Sequence, residues 1–318
     1  MAINGIQFQK GLSLAQFMKE YGTEAQCEEA LVAARWPHGF ECAHCGHKLA
    51  YEFRRRELRY WQCKACRRQV SLRAGTMMEN SKLPLTTWYL AIYLMTQSKT
   101  NITALAMMRQ LGIGWNAAWL LKHKLMETMR QREEDRPLQG DVRVDDAYLG
   151  GERTGGKAGR GSENKIAFVA AVEMADGRPQ RVRFDPVENF SFAALAPWAG
   201  LAIAPGSCVL SDGLLGFEVL ERLGYKHKVV LAPKGKAGTE IEPFKWINVL
   251  LGNLKTALSG THHAFKFRKY AHRYLAEVQY RFNRRFDLAA MVRRLAVAVT
   301  RAKPCSKRKI LAPSASRT

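Results

Sequence analysis

Two cysteine pairs constrain what the first part of this chain can fold into more than any other feature of its 318 residues. Cys42 and Cys45 form one C-x2-C knuckle, Cys63 and Cys66 form a second, and 17 residues lie between Cys45 and Cys63. Each knuckle places two thiolates about a tetrahedral edge apart, and two knuckles at this distance are typical of a closed four-thiolate zinc site. We therefore predict a zinc ribbon over residues 36–72, with a structural ion that performs no chemistry.

The remaining cysteines do not suggest a disulfide framework. Cys27, Cys208 and Cys305 are scattered, and the N-terminal residues lack the basic-then-apolar pattern of an export signal. We therefore expect a reducing cytoplasm, with metal binding in preference to disulfides, and the absence of a long apolar run predicts no membrane span. His44 and His47 are possible substitute zinc ligands, but we expect them to be bystanders.

The arm between the knuckles suits nucleic acid. It interleaves basic and aromatic side chains, namely Arg54, Arg55, Arg56 and Arg59 beside Tyr51, Tyr60 and Trp61. The whole chain has 50 Lys and Arg against 28 Asp and Glu, a net charge of +22 that attracts a polyanion. We predict that Arg54, Arg55 and Arg56 contact DNA. The alternative for these arginines is a solvated hairpin face.

A helix-turn-helix is predicted after the ribbon. One helix runs from Asn101 to Leu111, glycines at 112 and 114 break it, and a second helix runs from Trp115 to Met129. The second helix would direct Asn116, Lys122, His123 and Lys124 towards DNA, with Trp119, Leu120 and Met126 in the core. Many helical hairpins share this pattern, so an ordinary hairpin is the alternative.

The pattern changes after a linker near Pro137. Strands are predicted at 142–149, 166–174, 181–184, 207–210 and 227–231, and helices at 190–199, 214–223, 246–258 and 270–298. This order predicts a mixed sheet with helices on both faces. It matches the order of a ribonuclease-H-like core, as it does that of many α/β domains.

These observations predict an α+β multidomain protein. The segments are a helical region 1–35, the zinc ribbon 36–72, a helix-turn-helix region 73–135, a mixed α/β catalytic core 136–298 and a basic flexible tail 299–318.

Two aspartates each follow or end a buried strand. Asp145 lies near the end of the first core strand, and Asp212 follows the fourth and precedes Gly213. Two such carboxylates in one α/β domain suggest a shared divalent-metal site, although an Asp-Gly pair alone is more often a turn or helix cap. In the predicted helix 246–258, Asn248 and Lys255 are seven residues apart and share one face.

The chain resembles the bacterial zinc-ribbon insertion-sequence transposases of the ISXO-like group, the family numbered fifteen-ninety-five. The resemblance spans about residues 15–295. Its motifs are the cysteine knuckles, SKLPLTTWYLAIYLMTQSK, VDDAYLGGER, GKAGRGSENK, VLSDG, WINVLLGNLKTALSGTHHAF and YRFNRRFDL.

The resemblance implies a DDE-type, ribonuclease-H-like catalytic domain. By motif match the first acid is Asp145 and the second is Asp212. The third position, often Glu in relatives, falls on Asn248, with Lys255 following, and Asn253 is the alternative. Glu240 or Glu242 could supply a missing carboxylate from the preceding loop. An amide can bind Mg²⁺ but brings no negative charge, so this site departs from three carboxylates.

The implied activity is DNA transposition. Asp145 and Asp212 would hold two Mg²⁺ or Mn²⁺ ions at the scissile phosphate, which Lys255 would help to hold. The enzyme would cleave double-stranded DNA at terminal inverted repeats and direct the free 3′-hydroxyl into target DNA. A homodimer is expected, because two ends must be joined. The alternatives are a catalytically decayed zinc-ribbon DNA-binding protein and a nuclease that cuts without joining.

Two further basic regions are predicted to contact DNA or solvent. The glycine-rich loop 150–165 carries Arg153, Lys157, Arg160 and Lys165, which we expect at the DNA backbone; a hairpin tip is the alternative. In the last predicted helix, Arg281, Arg284 and Arg285 are expected to form a basic face that is either solvated or in contact with DNA. His262 and His263 are candidates for a phosphate contact or a structural role.

Overall fold

The computed structural model describes residues 9–98, 100–150, 165–231, 242–262 and 266–312. Its helices are α1 (Leu14–Tyr21), α2 (Glu24–Arg35), α3 (Leu85–Gln97), α4 (Ala104–Leu111), α5 (Trp115–Glu134), α6 (Phe192–Ala202), α7 (Val219–Arg222), α8 (Glu242–Ser259), α9 (Phe267–Phe282), α10 (Met291–Arg301) and α11 (Lys307–Leu311). Its strands are β1 (Ala50–Arg55), β2 (Leu58–Cys63), β3 (Gln69–Ser71), β4 (Asp141–Leu149), β5 (Ile166–Ala175), β6 (Arg178–Pro186), β7 (Cys208–Ser211) and β8 (Lys226–Val229).

The described residues form two compact units. The first contains the residues up to Thr128 together with Phe286–Ile310, and the second contains Met129–Arg285. No helix in the described ranges is long and apolar enough to cross a bilayer.

The C-terminal boundaries differ from the prediction. Instead of one helix over 270–298, α9 belongs to the second unit and α10 packs on α2 and α3 of the first. The reason is the amphipathic pattern of α10, whose buried residues include Met291, Leu295 and Val299. The predicted catalytic domain 136–298 therefore ends too late. The predicted flexible tail begins within α10, and Cys305 and Ile310 are buried.

Local capping fixes the helices of the first unit. The Thr23 hydroxyl and the Gln26 side chain form a capping box that starts α2, so the predicted N-terminal helical region is two helices. The Glu24 carboxylate accepts hydrogen bonds from the backbone N–H groups of Leu85 (2.7 Å) and Thr86 (3.0 Å) and so caps α3.

The ribbon sheet has the order β1-β2-β3 with antiparallel pairing. Trp61 is buried against Trp36, with ring centroids 4.6 Å apart. The Arg35 guanidinium donates to the carbonyls of Ser71 (2.9 Å) and Ala74 (2.6 Å), which ties the end of α2 to the segment that leaves the ribbon.

The glycine turn between α4 and α5 is present, but α5 is oriented differently from the prediction. Gly112 ends α4 in the left-handed conformation, with φ 63°, as glycine readily does. Asn116 is exposed in the first turn of α5, whereas residues 121–129 are all buried. Trp119 and Leu120, predicted to be core residues, are only partly buried.

The prediction that Lys122 and Lys124 face DNA is therefore wrong. The Lys122 Nζ donates to the Ile102 carbonyl (2.6 Å), and both groups lie inside the first unit. The Lys124 Nζ donates to the carbonyls of Met77 (2.9 Å) and Glu79 (3.2 Å). His123 is buried as well. Helical periodicity alone does not reveal that these cations satisfy buried loop carbonyls.

The second unit is built on a five-stranded sheet of order β6-β5-β4-β7-β8. β6, β5 and β4 pair antiparallel, whereas β7 pairs parallel with both β4 and β8. One face packs on α6 and α7 through an apolar core that includes Val144, Val209 and Trp198. The opposite face contacts α8 and α9, and the Arg143 guanidinium donates there to the carbonyls of Glu242 and Pro243 at the start of α8.

α9 covers the edge strand β6. The Gln279 side chain accepts from the Phe184 N–H (3.1 Å), and the Asn283 amide bonds both the N–H and the carbonyl of Val182. These side chains replace the partner strand that an open sheet edge lacks.

The arginines near the end of α9 do not form the predicted exposed basic face. Arg281 and Arg284 are buried, and Arg284 forms an ion pair with the buried Glu133 (2.6 Å). Arg285 donates to the Gln180 carbonyl (3.0 Å). Arg284 thus ties α9 to the end of α5, and Arg285 ties the segment after α9 to β6.

Candidate active site

Parallel pairing brings Asp145 and Asp212 to the same edge of the sheet. Val144 on β4 pairs with Ser211 on β7, and each aspartate is the next residue along its chain. Because parallel strands run in the same direction, side chains that follow a register pair lie close together. The two carboxylates therefore meet although 66 residues separate them in the sequence.

The turn after β7 orients Asp212. Its Oδ1 accepts a hydrogen bond from the Leu214 N–H (3.1 Å). Asp212 therefore stabilises the turn, as an Asp-Gly pair suggests, and its carboxylate also lies in the cleft. Ser211 shares its hydroxyl with the buried His227 imidazole (2.8 Å) and donates to the Asp212 carbonyl (3.0 Å). A Cβ on Gly213 would come within 2.6 Å of Leu231, so a larger residue requires that side chain to move.

An open cleft of about 510 Å³ lies at this edge. Its polar lining consists of Asp145, Asp146, Asp212, Asn248, Lys255, Lys165 and Tyr148. α8 contributes Asn248, Leu251 and Lys255, the three- and four-residue spacing of one helix face.

The other candidates for the third catalytic position are Asn253, Glu242 and Glu240. Asn253 is not among the residues that line the cleft. Glu242 forms an ion pair with Lys245 (3.1 Å), with 76% of its side chain exposed, and also does not line the cleft. Glu240 lies outside the described residues.

Asp146 is a cleft carboxylate that the sequence analysis did not anticipate. Carboxylate oxygens of Asp145, Asp146 and Asp212 all lie within 4.8 Å of one another. This spacing fits oxygens that share divalent cations with metal–oxygen distances of about 2–2.6 Å. The doubled aspartate in VDDAYLGGER was the available signal, but strand alternation predicts that neighbours point to opposite faces.

Crowding of these carboxylates changes the ionisation of Asp145. Burial, followed by the charges of Asp212 and Asp146, raises the pKa of Asp145 to about 7, and Lys255 opposes the shift. The cleft is therefore electrostatically prepared to accept cations.

The four ribbon cysteines form a second cluster suited to metal. The Sγ atoms of Cys42 and Cys66 are 3.6 Å apart, as are those of Cys45 and Cys63, and all four lie within 4.8 Å of one another. Zn–S bonds of about 2.3 Å give a tetrahedral edge of about 3.8 Å. The cluster includes neither His44 nor His47.

Hydrogen bonds within the ribbon shift the pKa values of its thiols in different directions. The N–H of Cys45 lowers the pKa of the Cys42 thiol to about 6, and the N–H of Cys66 lowers the pKa of the Cys63 thiol. Against the N–H of His47, burial and hydrogen bonds with the other ribbon thiols raise the pKa of Cys45 to about 11. Burial instead raises the pKa of Cys27 to about 12, and its thiol donates to the Tyr21 carbonyl (3.2 Å).

The arginines of the ribbon arm differ in their partners. Arg54, Arg55 and Arg56 are exposed; Arg54 pairs with Glu28, and Arg55 lies over the Tyr60 ring at 5.4 Å. Arg59 is only 14% exposed and pairs with Glu52 (2.5 Å) and Glu29 (2.6 Å), so its charge is neutralised.

The other predicted DNA contacts are partly described. Lys165 lies just before β5 and lines the cleft. Arg153, Lys157 and Arg160 lie outside the described residues, as does His263. The His262 ring packs edge-on against Tyr274, with centroids 4.8 Å apart.

Comparison with known proteins assigns both clusters to recognised domains. The family model described as the transposase zinc-ribbon domain matches residues 22–69, and the ISXO2-like transposase domain matches residues 137–283. Together these matches span more than half of the chain. The zinc-ribbon match and the four-cysteine cluster agree with the predicted zinc ribbon.

A curated relative from Halobacterium salinarum is named an uncharacterized protein in transposable element ISH50. It is 25% identical over 134 residues, which cover 42% of this chain and 44% of the relative. The chain thus matches less than half of the length of this relative.

We expect one zinc ion per chain, bound through the four ribbon cysteines. Cys63→Ser should lose the ion and unfold the ribbon, because a structural zinc site stabilises its fold through all four ligands. Elemental analysis and native mass spectrometry would measure the zinc. Cys208→Ser, at an exposed thiol outside the cluster, is the control and should keep it. Zinc retention by Cys63→Ser would contradict the assignment.

We expect Asp145→Asn to stabilise the metal-free protein at high pH. The folded-state pKa near 7 exceeds the unfolded value near 4, so wild-type stability falls as pH rises from about 4 to 7. At about 1.4 kcal/mol per pKa unit, the variant should gain up to about 4 kcal/mol at pH 8 and progressively less towards pH 4. Denaturant unfolding with and without Mg²⁺ would measure this, and Mg²⁺ should cancel the gain. Asp141→Asn is the matched carboxylate-to-amide control on the same strand. A pH-independent difference for Asp145→Asn would refute the expectation.

Proposed function

We propose that this chain, which belongs to the ISXO2-like transposases with a zinc ribbon, is an active DDE-type enzyme that cleaves transposon ends and transfers the 3′-hydroxyl to target DNA. The observation that carries the proposal is the cleft lined by Asp145, Asp212, Asn248 and Lys255. Three elements distant in sequence contribute these side chains. A carboxylate pair beside an amide and a lysine suits phosphoryl-transfer chemistry on DNA.

The catalytic unit is proposed to be ribonuclease-H-like. Three antiparallel strands, two parallel strands and helices on both faces agree with that architecture. The site at the ends of β4 and β7 supports it further, because ligands of α/β sheets commonly bind at strand ends.

In the proposed mechanism Asp145 and Asp212 hold two Mg²⁺ or Mn²⁺ ions. When bound, such ions activate the attacking hydroxyl and stabilise the leaving oxygen. Asn248 would orient the scissile phosphate or the attacking water through its amide, and Lys255 would contact a non-bridging phosphate oxygen. The same residues serve hydrolysis and strand transfer, because the two steps differ only in the nucleophile, water or a DNA 3′-hydroxyl.

DNA recognition is proposed to use the ribbon arm and the α4–α5 turn. Arg55 and Arg56 suit phosphate contacts, whereas Arg54 would have to exchange its ion pair with Glu28 for one with phosphate. Asn116 lies in the first turn of α5, where a recognition helix presents its side chains to bases. Lys165, with Arg153, Lys157 and Arg160, would hold the backbone near the cleft. A homodimer would bring two ends together.

Cleavage of transposon-end DNA tests the assigned site. With Mg²⁺, Asp212→Asn should reduce cleavage by about 1000-fold, because loss of metal-held charge costs several kcal/mol of transition-state stabilisation. Asp141→Asn, on the same sheet but outside the cleft, should cleave like wild type. Gel analysis of nicked and joined products would measure both steps.

The outcomes separate the competing functions. A wild-type chain that binds the ends without cleaving them would indicate a catalytically decayed binder, the reading favoured by the amide at position 248. Cleavage without joining would indicate a nuclease. Equal cleavage by wild type and Asp212→Asn would remove the assigned site.

DNA binding should distinguish two arginines of the ribbon arm. Arg56→Gln should weaken binding and lower the salt-dependence slope by about one, because it removes a phosphate contact. Arg59→Gln removes the same formal charge, but the Arg59 guanidinium already pairs with Glu52 and Glu29. The salt-dependence slope of DNA binding should therefore stay unchanged in this variant. Fluorescence anisotropy over a salt series would measure both, and identical slopes for the two variants would argue against the proposed contact.

A further inference from the structure

The position of the Asp146 side chain departs from the usual alternation along a β-strand. Successive side chains of a β-strand point to opposite faces, so Asp145 and Asp146 should diverge. Their carboxylates nevertheless both lie within 4.8 Å of that of Asp212, and both residues line the same cleft.

The end of β7 explains this convergence. β7 pairs with β4 only as far as Ser211 and Val144, whereas β4 continues to Leu149 along β5. Beyond Val144, the side of β4 away from β5 therefore opens into the cleft. Side chains from either face can reach round the exposed edge, and Asp212 lies just past the end of β7.

The charge balance of the cleft indicates what the Asp146 carboxylate can contribute. Asp145 and Asp212 supply two negative charges, and Asn248 supplies none. One carboxylate pair would leave two bound divalent cations with a net positive charge, and Lys165 and Lys255 add positive charge at the same cleft. With the carboxylate of Asp146, the cleft has the same number of negatively charged side chains as a site with three acidic residues.

We propose that Asp146 is the third carboxylate ligand of the catalytic divalent cations and compensates for the amide at Asn248. The inference rests on the proposed function, since it concerns the same metal site. It assigns to the second aspartate of VDDAYLGGER a role in binding the ions.

Mn²⁺ binding to the full-length, zinc-loaded chain tests this role without relying on activity. Calorimetry, with electron paramagnetic resonance to count free Mn²⁺, would compare wild type with Asp145→Asn, Asp146→Asn, Asp212→Asn and Asp141→Asn. Mutation of groups that only support a ligand costs about 10–100-fold in affinity, so loss of Asp146 as a ligand should cost at least about tenfold. Asp141→Asn, which changes a carboxylate of β4 outside the cleft, should bind like wild type.

Two further measurements separate ligation from a structural role. Metal-free Asp146→Asn should keep the circular-dichroism spectrum and the cooperative unfolding of wild type, so that a lower Mn²⁺ affinity reports a lost ligand and not a lost fold. Asn248→Asp in the Asp146→Asn background should recover Mn²⁺ affinity, because it returns a carboxylate to the cleft.

Each failure has its own signature. Mn²⁺ affinity of Asp146→Asn equal to wild type, while Asp212→Asn is weakened, would overturn the role of Asp146 and leave the proposed function standing. A weakened Asp146→Asn that Asn248→Asp does not rescue would overturn the compensation. A wild-type chain without Mn²⁺ binding, or an Asp212→Asn variant with wild-type affinity, would overturn the proposed metal site itself.

Discussion

The register of β4 against β7 is the constraint on which the candidate active site depends. Val144 opposite Ser211 sets Asp145 beside Asp212. Val142, Val144 and Val209 are buried in the core under α6, and a slip of one residue would turn these apolar side chains towards α8. Burial of the valines on one face therefore fixes the register, and the register fixes the positions of the two carboxylates at the sheet edge. Packing of the core thus determines where the candidate active site lies.

The two clusters suited to metal differ in their electrostatics before an ion binds. In the ribbon, backbone N–H groups stabilise thiolates and lower the pKa of Cys42 and Cys63. The pKa of the neighbouring Cys45 thiol is raised to about 11, so zinc binding would have to displace the proton of this ligand. In the cleft, three carboxylates repel one another, and burial with this repulsion raises the pKa of Asp145. The cleft concentrates unfavourable negative charge that bound cations would relieve.

The net charge of +22 does not all face outward. Lys122 and Lys124 bond loop carbonyls inside the first unit, and Arg284 pairs with the buried Glu133 in the second. Long cationic side chains here satisfy buried acceptors that packing alone would leave unpaired. Composition therefore overstates the surface available to a polyanion, and the exposed arginines of the ribbon arm become the better candidates for phosphate contacts.

Local spacing was sufficient for the ribbon ligands, the order of the core strands and the shared face of Asn248 and Lys255, because each depends on chain geometry over a few residues. The sequence could not assign α10 to the first unit, show that Lys122 and Lys124 are buried, or bring Asp146 beside Asp212. Those features depend on which distant surfaces meet. Helix and strand periodicities specify the direction of a side chain relative to its own element, but only the packed structure decides whether it meets solvent, a carbonyl or another charge.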